Sequence, residues 1–165
     1  MRNFYLPHYE ELPDFPLFAE QVINYIETNL KDYFFNDEKI ITKSMINNYV
    51  KNGFIEAPVK KKYNKDQLVV LIIISILKKT FTLDEIVLIV NQVLNITDIT
   101  VSYNYYCDDL QNCLTSIFNK EEIVHTPYHH VSDTFVYACQ NVMLAVAHKI
   151  YLESLIKDRK EFNIE

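Results

Sequence analysis

The sequence predicts an all-α fold, and three observations carry that prediction. One glycine, Gly53, and five prolines in 165 residues are too few for a turn-rich sandwich or barrel and suit long helices joined by short connections. Apolar residues return at three- and four-residue intervals over most of the chain, the period of a helix with one buried face. Asn64-Lys-Asp-Gln67 and Thr82-Leu-Asp-Glu85 have the form of capping boxes, a local signature of a helix start. With 49% apolar and 23% charged residues the chain excludes wholesale disorder, and its length suits one domain, or one small domain with an appendage.

The elements follow in order. Asp14 is placed to cap a helix over about 16–33, whose core face is Leu17, Phe18, Val22, Tyr25, Ile26 and Leu30. Thr42 caps a second, short helix that stops at Asn52-Gly53. Met45, Ile46, Tyr49 and Val50 form its apolar stripe. Phe54-Ile55 reads as extended, Pro58 breaks any helix, and Val59–Tyr63 is β-like or irregular. The first capping box then opens a helix to about Lys79, buried on all sides because Leu68–Leu77 is almost wholly apolar. The second opens a helix to about Val93. Val101–Phe118 is read as helical despite its tyrosines, Glu121–His130 as a loop containing Pro127, and Ser132 or Asp133 as the start of a long last helix. Phe135, Cys139, Val142, Val146 and Ile150 mark the apolar side of that helix, and the charged tail EFNIE follows.

The odd count of cysteines, Cys107, Cys113 and Cys139, has no CxxC spacing and reads as free thiols in a reducing cytoplasm. The N-terminal stretch MRNFYLPHYEELPDF has no apolar signal region. The run Leu68–Leu77 is about half of the ~20 residues a membrane-spanning helix needs. A soluble cytoplasmic protein with no membrane partner is expected.

Charge is segregated. The formal net charge is −6, yet between Lys39 and Lys79 nine lysines face only Glu56 and Asp66. That segment carries +7 and the remainder −13. A basic face on an acidic body suits a polyanion partner. Within it, the helix at about 42–52 exposes Lys43, Ser44, Asn47, Asn48 and Lys51. Asparagine bonds bidentately to adenine, and Lys and Ser reach guanine edges or phosphates. A recognition helix presents such residues from its first turns while its other face holds the core. The turn 57–63 carries Lys60, Lys61 and Lys62 like a wing over neighbouring phosphates, each contact adding about 0.9 to the salt slope on B-DNA. Double-stranded DNA is the expected partner. A solvated face meeting an acidic protein surface, as in a non-enzymatic adaptor, is the alternative.

The run Thr42-Lys-Ser-Met-Ile-Asn-Asn-Tyr-Val-Lys-Asn-Gly-Phe-Ile-Glu-Ala-Pro58, then Lys62-Tyr63-Asn64, then Phe81-Thr-Leu-Asp-Glu-Ile86 resembles the mercury-resistance-regulator (MerR-like) winged helix-turn-helix. That family carries R-Y-Y-x-x-G-L-I-x-P on its recognition helix, R-Y-S at the end of its wing and F-S-L-x-E-I beyond. More narrowly, the core TKxMINNYVK resembles an uncharacterised bacterial family, domain of unknown function eighteen thirty-six, whose members are thought to be transcription regulators. The narrower resemblance spans about 12–155 and the MerR-like one about 40–90. Together they imply DNA binding through Lys43, Ser44, Asn47, Asn48, Lys60, Lys61, Lys62 and Tyr63. The wing here, PVKKKY, is shorter than the family's, and neither a long dimerising coiled coil nor a Cys-rich effector site is evident. The family's dimer geometry and promoter distortion are therefore not carried over.

Two regions are expected: 1–95, the winged helix-turn-helix unit with its N-terminal helix, and 96–165, a helical dimerisation or sensing region packed on it. The C-terminal helices are the expected homodimer surface. Tyr103, Tyr105, Tyr106, Phe118 and Tyr128 would serve equally in an effector pocket or a core. A metal site from His129, His130 and Cys139 is considered and set aside, because neither H-x3-H nor CxxC spacing backs it. Cys107 beside Asp108-Asp109 is no activated nucleophile, and a single glycine builds no phosphate-cradling loop. Neither catalysis nor a cofactor is expected.

Overall fold

The computed structural model describes residues 4–36 and 38–158. Its elements are β1 (Leu17–Phe18), α1 (Ala19–Leu30), α2 (Lys43–Lys51), β2 (Lys62–Tyr63), α3 (Lys65–Leu77), α4 (Leu83–Ile96), α5 (Ile99–Asn119) and α6 (Asp133–Asp158), with short 3-10 turns at Tyr9–Glu11 and Lys31–Tyr33. The chain is mostly helical, as its period requires. The tail 161–165 lies outside the described residues.

Local chemistry sets most helix ends. Thr42 Oγ1 accepts from the Met45 amide at 3.2 Å. At Asn64 the box is reciprocal: the Gln67 amide donates to Asn64 Oδ1 at 2.9 Å and the Asn64 amide to Gln67 Oε1 at 2.8 Å. Thr82 and Glu85 repeat that pattern. Each such cap contributes about 1 kcal/mol. α2 ends in a Schellman motif, with Phe54 N–H on the Tyr49 carbonyl, Gly53 N–H on that of Val50, and Gly53 at φ +71°. Asp98 Oδ1 takes the Thr100 amide at 2.8 Å, so α5 starts at Ile99.

α1 is the exception. Leu17 and Phe18 pair antiparallel with Tyr63 and Lys62 instead of entering the helix. The cap position passes to Phe18, whose amide donates to Gln21 Oε1 at 2.9 Å. Asp14 pairs with Lys65 instead.

One continuous core joins all the helices. Leu68, Val69, Leu71, Ile72, Ile74, Ile76 and Leu77 of α3 are each about 1% exposed or less, and burying each such side chain contributes about 2 kcal/mol. Val22, Ile26 and Leu30 of α1, Ile46 and Tyr49 of α2, Leu110 and Leu114 of α5 and Val146, Ala147 and Ile150 of α6 are buried in the same core. The N-terminal segment lies along α5: the Tyr9 amide donates to Asn104 Oδ1 at 2.8 Å, and His8 Nε2 lies 2.7 Å from Asp108 Oδ1. Among the described residues no helix is long and apolar enough to cross a membrane.

Candidate functional site

The basic segment is organised around a two-residue turn. Val59 and Lys62 exchange both backbone hydrogen bonds, at 3.0 and 2.9 Å. Between them Lys60 (φ +49°) and Lys61 (φ +65°) both sit in the left-handed region. Positive φ at both central residues is the type I′ arrangement, which matches strand twist and ordinarily takes Asn-Gly. For a residue with a Cβ each such position costs about 1 kcal/mol or more. The turn holds because its base is tied down twice. β2 is bonded to β1, and buried Gln67 donates from Nε2 to the Glu56 carbonyl at 3.0 Å, fixing the approach to the hairpin. Gln67 thus serves both the cap of α3 and the hairpin.

α2 lies beside this hairpin. Its buried side is Ile46 and Tyr49, flanked by half-buried Met45 and Val50. Lys43, Ser44, Asn47, Asn48 and Lys51 are all exposed, and Ser44, Asn47, Asn48 and Lys51 repeat on one face at three- and four-residue spacing. Asn48 Oδ1 accepts from Asn52 Nδ2 at 2.9 Å. Lys43 pairs with Glu20 at 2.8 Å across two exposed side chains.

The structure sorts the basic residues into two groups. Lys78 donates to the Ile40 carbonyl, and burial holds its ammonium below the usual lysine range. Lys79 is 6% exposed, ion-paired to Glu153 of α6 and 4.0 Å above the Phe34 ring. Lys65 pairs with Asp14. These three hold the fold together. Lys62 is half-buried, 4.8 Å over the Phe18 ring, and Tyr63 is 4% exposed and belongs to the core, because alternate residues of a strand point to opposite sides. Lys51, Lys60 and Lys61 are exposed, with no charged partner among the described residues.

The C-terminal half holds chemistry of its own. His129 and His130 are exposed with ring centroids 6.4 Å apart, and half-buried Cys139 lines an apolar cavity on α6. That cavity, about 70 Å³, lies between α3, α4, α5 and α6, and Tyr103, Tyr105, Tyr106 and Tyr128 all reach it. Phe118 packs on Phe4 and Tyr151 instead. Among the described residues the hydroxyls of Tyr33, Tyr105 and Tyr106 are buried without a hydrogen-bond partner and that of Tyr103 faces the Cys107 thiol, and desolvation pushes each of the four above the ordinary tyrosine range.

A cluster absent from the sequence reading lies beside Tyr105. The His125 ring nitrogen Nδ1 is 3.1 Å from both carboxylate oxygens of fully buried Asp109 and 3.8 Å from Cys113 Sγ. The Thr126 amide donates to Asp109 Oδ1 at 2.7 Å, and Asn112 Nδ2 donates to Thr126 Oγ1 at 2.9 Å. Burial raises the Asp109 carboxyl and pushes the Cys113 thiol up to about 12, so this cysteine is no reactive nucleophile on its own. The signal available in the sequence was the four-residue step from Asp109 to Cys113 on one helix face.

Residues 7–108 match the family described as Domain of unknown function (DUF1836). The matched span runs into α5 and contains β1, the hairpin and α2. No curated protein and no solved structure matches the chain.

Proposed function

The chain belongs to the DUF1836 family, whose description assigns no activity, and we propose that it is a sequence-specific DNA-binding transcription regulator. α2 would enter the major groove, with Asn47 reading adenine and Lys43, Ser44, Asn48 and Lys51 on base edges or phosphates. Lys60 and Lys61 would rest on the flanking backbone as a wing. The observation that carries this reading is the hairpin tip: two lysines with no charged partner among the described residues, held in backbone that glycine or asparagine fills at lower cost. Strain kept at an exposed, charged turn points to a task there.

Further features support it. The order β1, α1, α2, hairpin, α3, with β1 bonded to the hairpin, is consistent with a MerR-like winged helix-turn-helix. The first turn of α2 carries no acid, so the positive end of its dipole is left to favour a phosphate. Lys62 and Tyr63 enter as supports of the wing. Exposed Tyr137, Leu152 and Ile156 on α6 favour a homodimer through that helix, which would double the readout of one short recognition helix. The cytoplasm is the compartment this reading requires.

Paired variants test the assignment by fluorescence anisotropy. Asn47→Ala is expected to reduce discrimination between a preferred site and a scrambled one by about 1–3 kcal/mol. Lys61→Ala is expected to weaken binding to every sequence about equally and flatten the salt slope by about one unit. Equal effects of both changes on all DNA would defeat the assignment of α2 as the reading helix. Val59, 74% exposed beside Lys60, favours a second reading, an adaptor that docks an acidic protein partner. In that case DNA would not bind even at low salt.

A further inference from the structure

We propose that Asp109, Cys113 and His125 form a zinc site in which the three side chains supply one ligand each and a water completes a tetrahedron. The proposal stands on residues separate from the DNA reading and holds whether or not that reading does.

The spacing fits the ion. A Zn²⁺ with ligands at about 2.0–2.3 Å in tetrahedral array sets its donor atoms about 3.3–3.7 Å apart. The nitrogen here is 3.1 Å from the carboxylate and 3.8 Å from the sulfur, and all three donors lie within 4.8 Å of one another. The two histidine distances lie within a few tenths of an ångström of those values, and closing the sulfur onto the carboxylate completes the geometry. One nitrogen, one oxygen and one sulfur are a donor set for a borderline ion such as Zn²⁺, and not for Mg²⁺ or Ca²⁺, which take oxygen alone.

The surroundings are built to hold these donors. Asp109 and Cys113 are four residues apart on α5 and face the same way without any loop rearrangement. His125 comes from the connection to α6, and that connection is pinned at the neighbouring Thr126. Thr126 N–H occupies Asp109 Oδ1 and leaves Oδ2 for the metal, and Asn112 holds the Thr126 hydroxyl. Such outer contacts orient ligands in metal sites. On zinc binding the His125–Asp109 hydrogen bond is exchanged for two bonds to the ion. The Cys113 proton and any proton on the coordinating nitrogen pass to solvent.

A second, independent observation points to the fourth ligand. Tyr105 stands four residues before Asp109 on α5, so Tyr105, Asp109 and Cys113 share one helix face. Among the described residues its hydroxyl is buried with no hydrogen-bond partner. A zinc-bound water beside it would supply the missing partner.

The test uses the whole chain, stripped with a chelator and titrated with Zn²⁺ against a chromophoric zinc indicator, then loaded with Co²⁺ as a spectroscopic substitute. One zinc per chain is expected, together with tetrahedral Co²⁺ absorbance and a thiolate-to-cobalt charge-transfer band. Cys113→Ser is expected to abolish that band. His125→Gln, on the loop, is expected to weaken zinc by more than the ~10–100-fold that outer-shell changes cost. A His129→Gln, His130→Gln double variant should change neither readout and so excludes capture by the exposed histidines. A wild-type chain that fails to compete for zinc, or that binds Co²⁺ without a thiolate band, would overturn the proposal. So would Cys113→Ser retaining the band. The wild-type spectrum decides even if a variant does not fold.

Discussion

Two Lys-Lys pairs, eighteen residues apart in the basic segment, do opposite things. At the end of α3, Lys78 and Lys79 turn inward. One donates to a backbone carbonyl, and the other is ion-paired to α6 and laid over an aromatic ring. At the hairpin tip, Lys60 and Lys61 turn outward from left-handed backbone, with no charged partner among the described residues. The first pair satisfies its charge inside the molecule, on a backbone carbonyl and on Glu153. The second pair weakens the fold slightly and leaves its charge available to a partner. Composition alone therefore overstates the basic face, because part of the +7 is consumed by the fold.

The comparison can be broken from either side. The largest effect concerns the core on which the inward pair rests. Tyr33, Tyr103 and Tyr106 are raised by burial, so above about pH 10 the unfolded chain releases these protons while the folded chain keeps them. Their stabilising contribution is complete below the unfolded value and is lost as pH climbs past it. The loss is about 1.4 kcal/mol per pH unit for each, or about 4 for the three together. Tyrosinate absorbance and circular dichroism followed through an alkaline titration should then change together; tyrosinate appearing well ahead of unfolding would contradict these burials. Next, Lys79→Ala should cost about 2–3 kcal/mol in a urea melt, because Glu153 is left partly buried with Lys149, at 3.4 Å, as its one charged neighbour among the described residues. DNA affinity of the folded protein should be unchanged. The smallest effect has the opposite sign. Lys61→Gly relieves the left-handed position and should stabilise the fold by about 1 kcal/mol while lowering the salt slope of DNA binding by about one unit. A Lys61→Gly variant that melted lower than the parent would show that the turn is not strained.

What the sequence made legible was local. The caps at Thr42, Asn64 and Thr82 and the stop at Gly53 depend on neighbours within a turn, and the structure has them. The start of α1 was misplaced because Leu17 and Phe18 are drawn away by Tyr63 and Lys62, a pairing no local signal announces. Sequence alone turns Tyr63 toward DNA, whereas strand alternation turns it into the core. The two lysine pairs look alike as text, since only tertiary packing separates a buried ammonium from an exposed one. A type I′ turn at Lys60-Lys61 lacks its usual Asn-Gly marker. The Asp109, Cys113 and His125 cluster was half legible: the helical spacing is in the sequence, while the histidine arrives through the path of a loop.

The most direct test of the central claim is anisotropy binding of the intact chain to DNA taken from upstream of its own coding sequence and to a scrambled duplex, across a salt series. A steep salt dependence with clear preference for the upstream fragment is the predicted result. No binding to either duplex at low salt would contradict the account and move the outward lysines to an acidic protein partner.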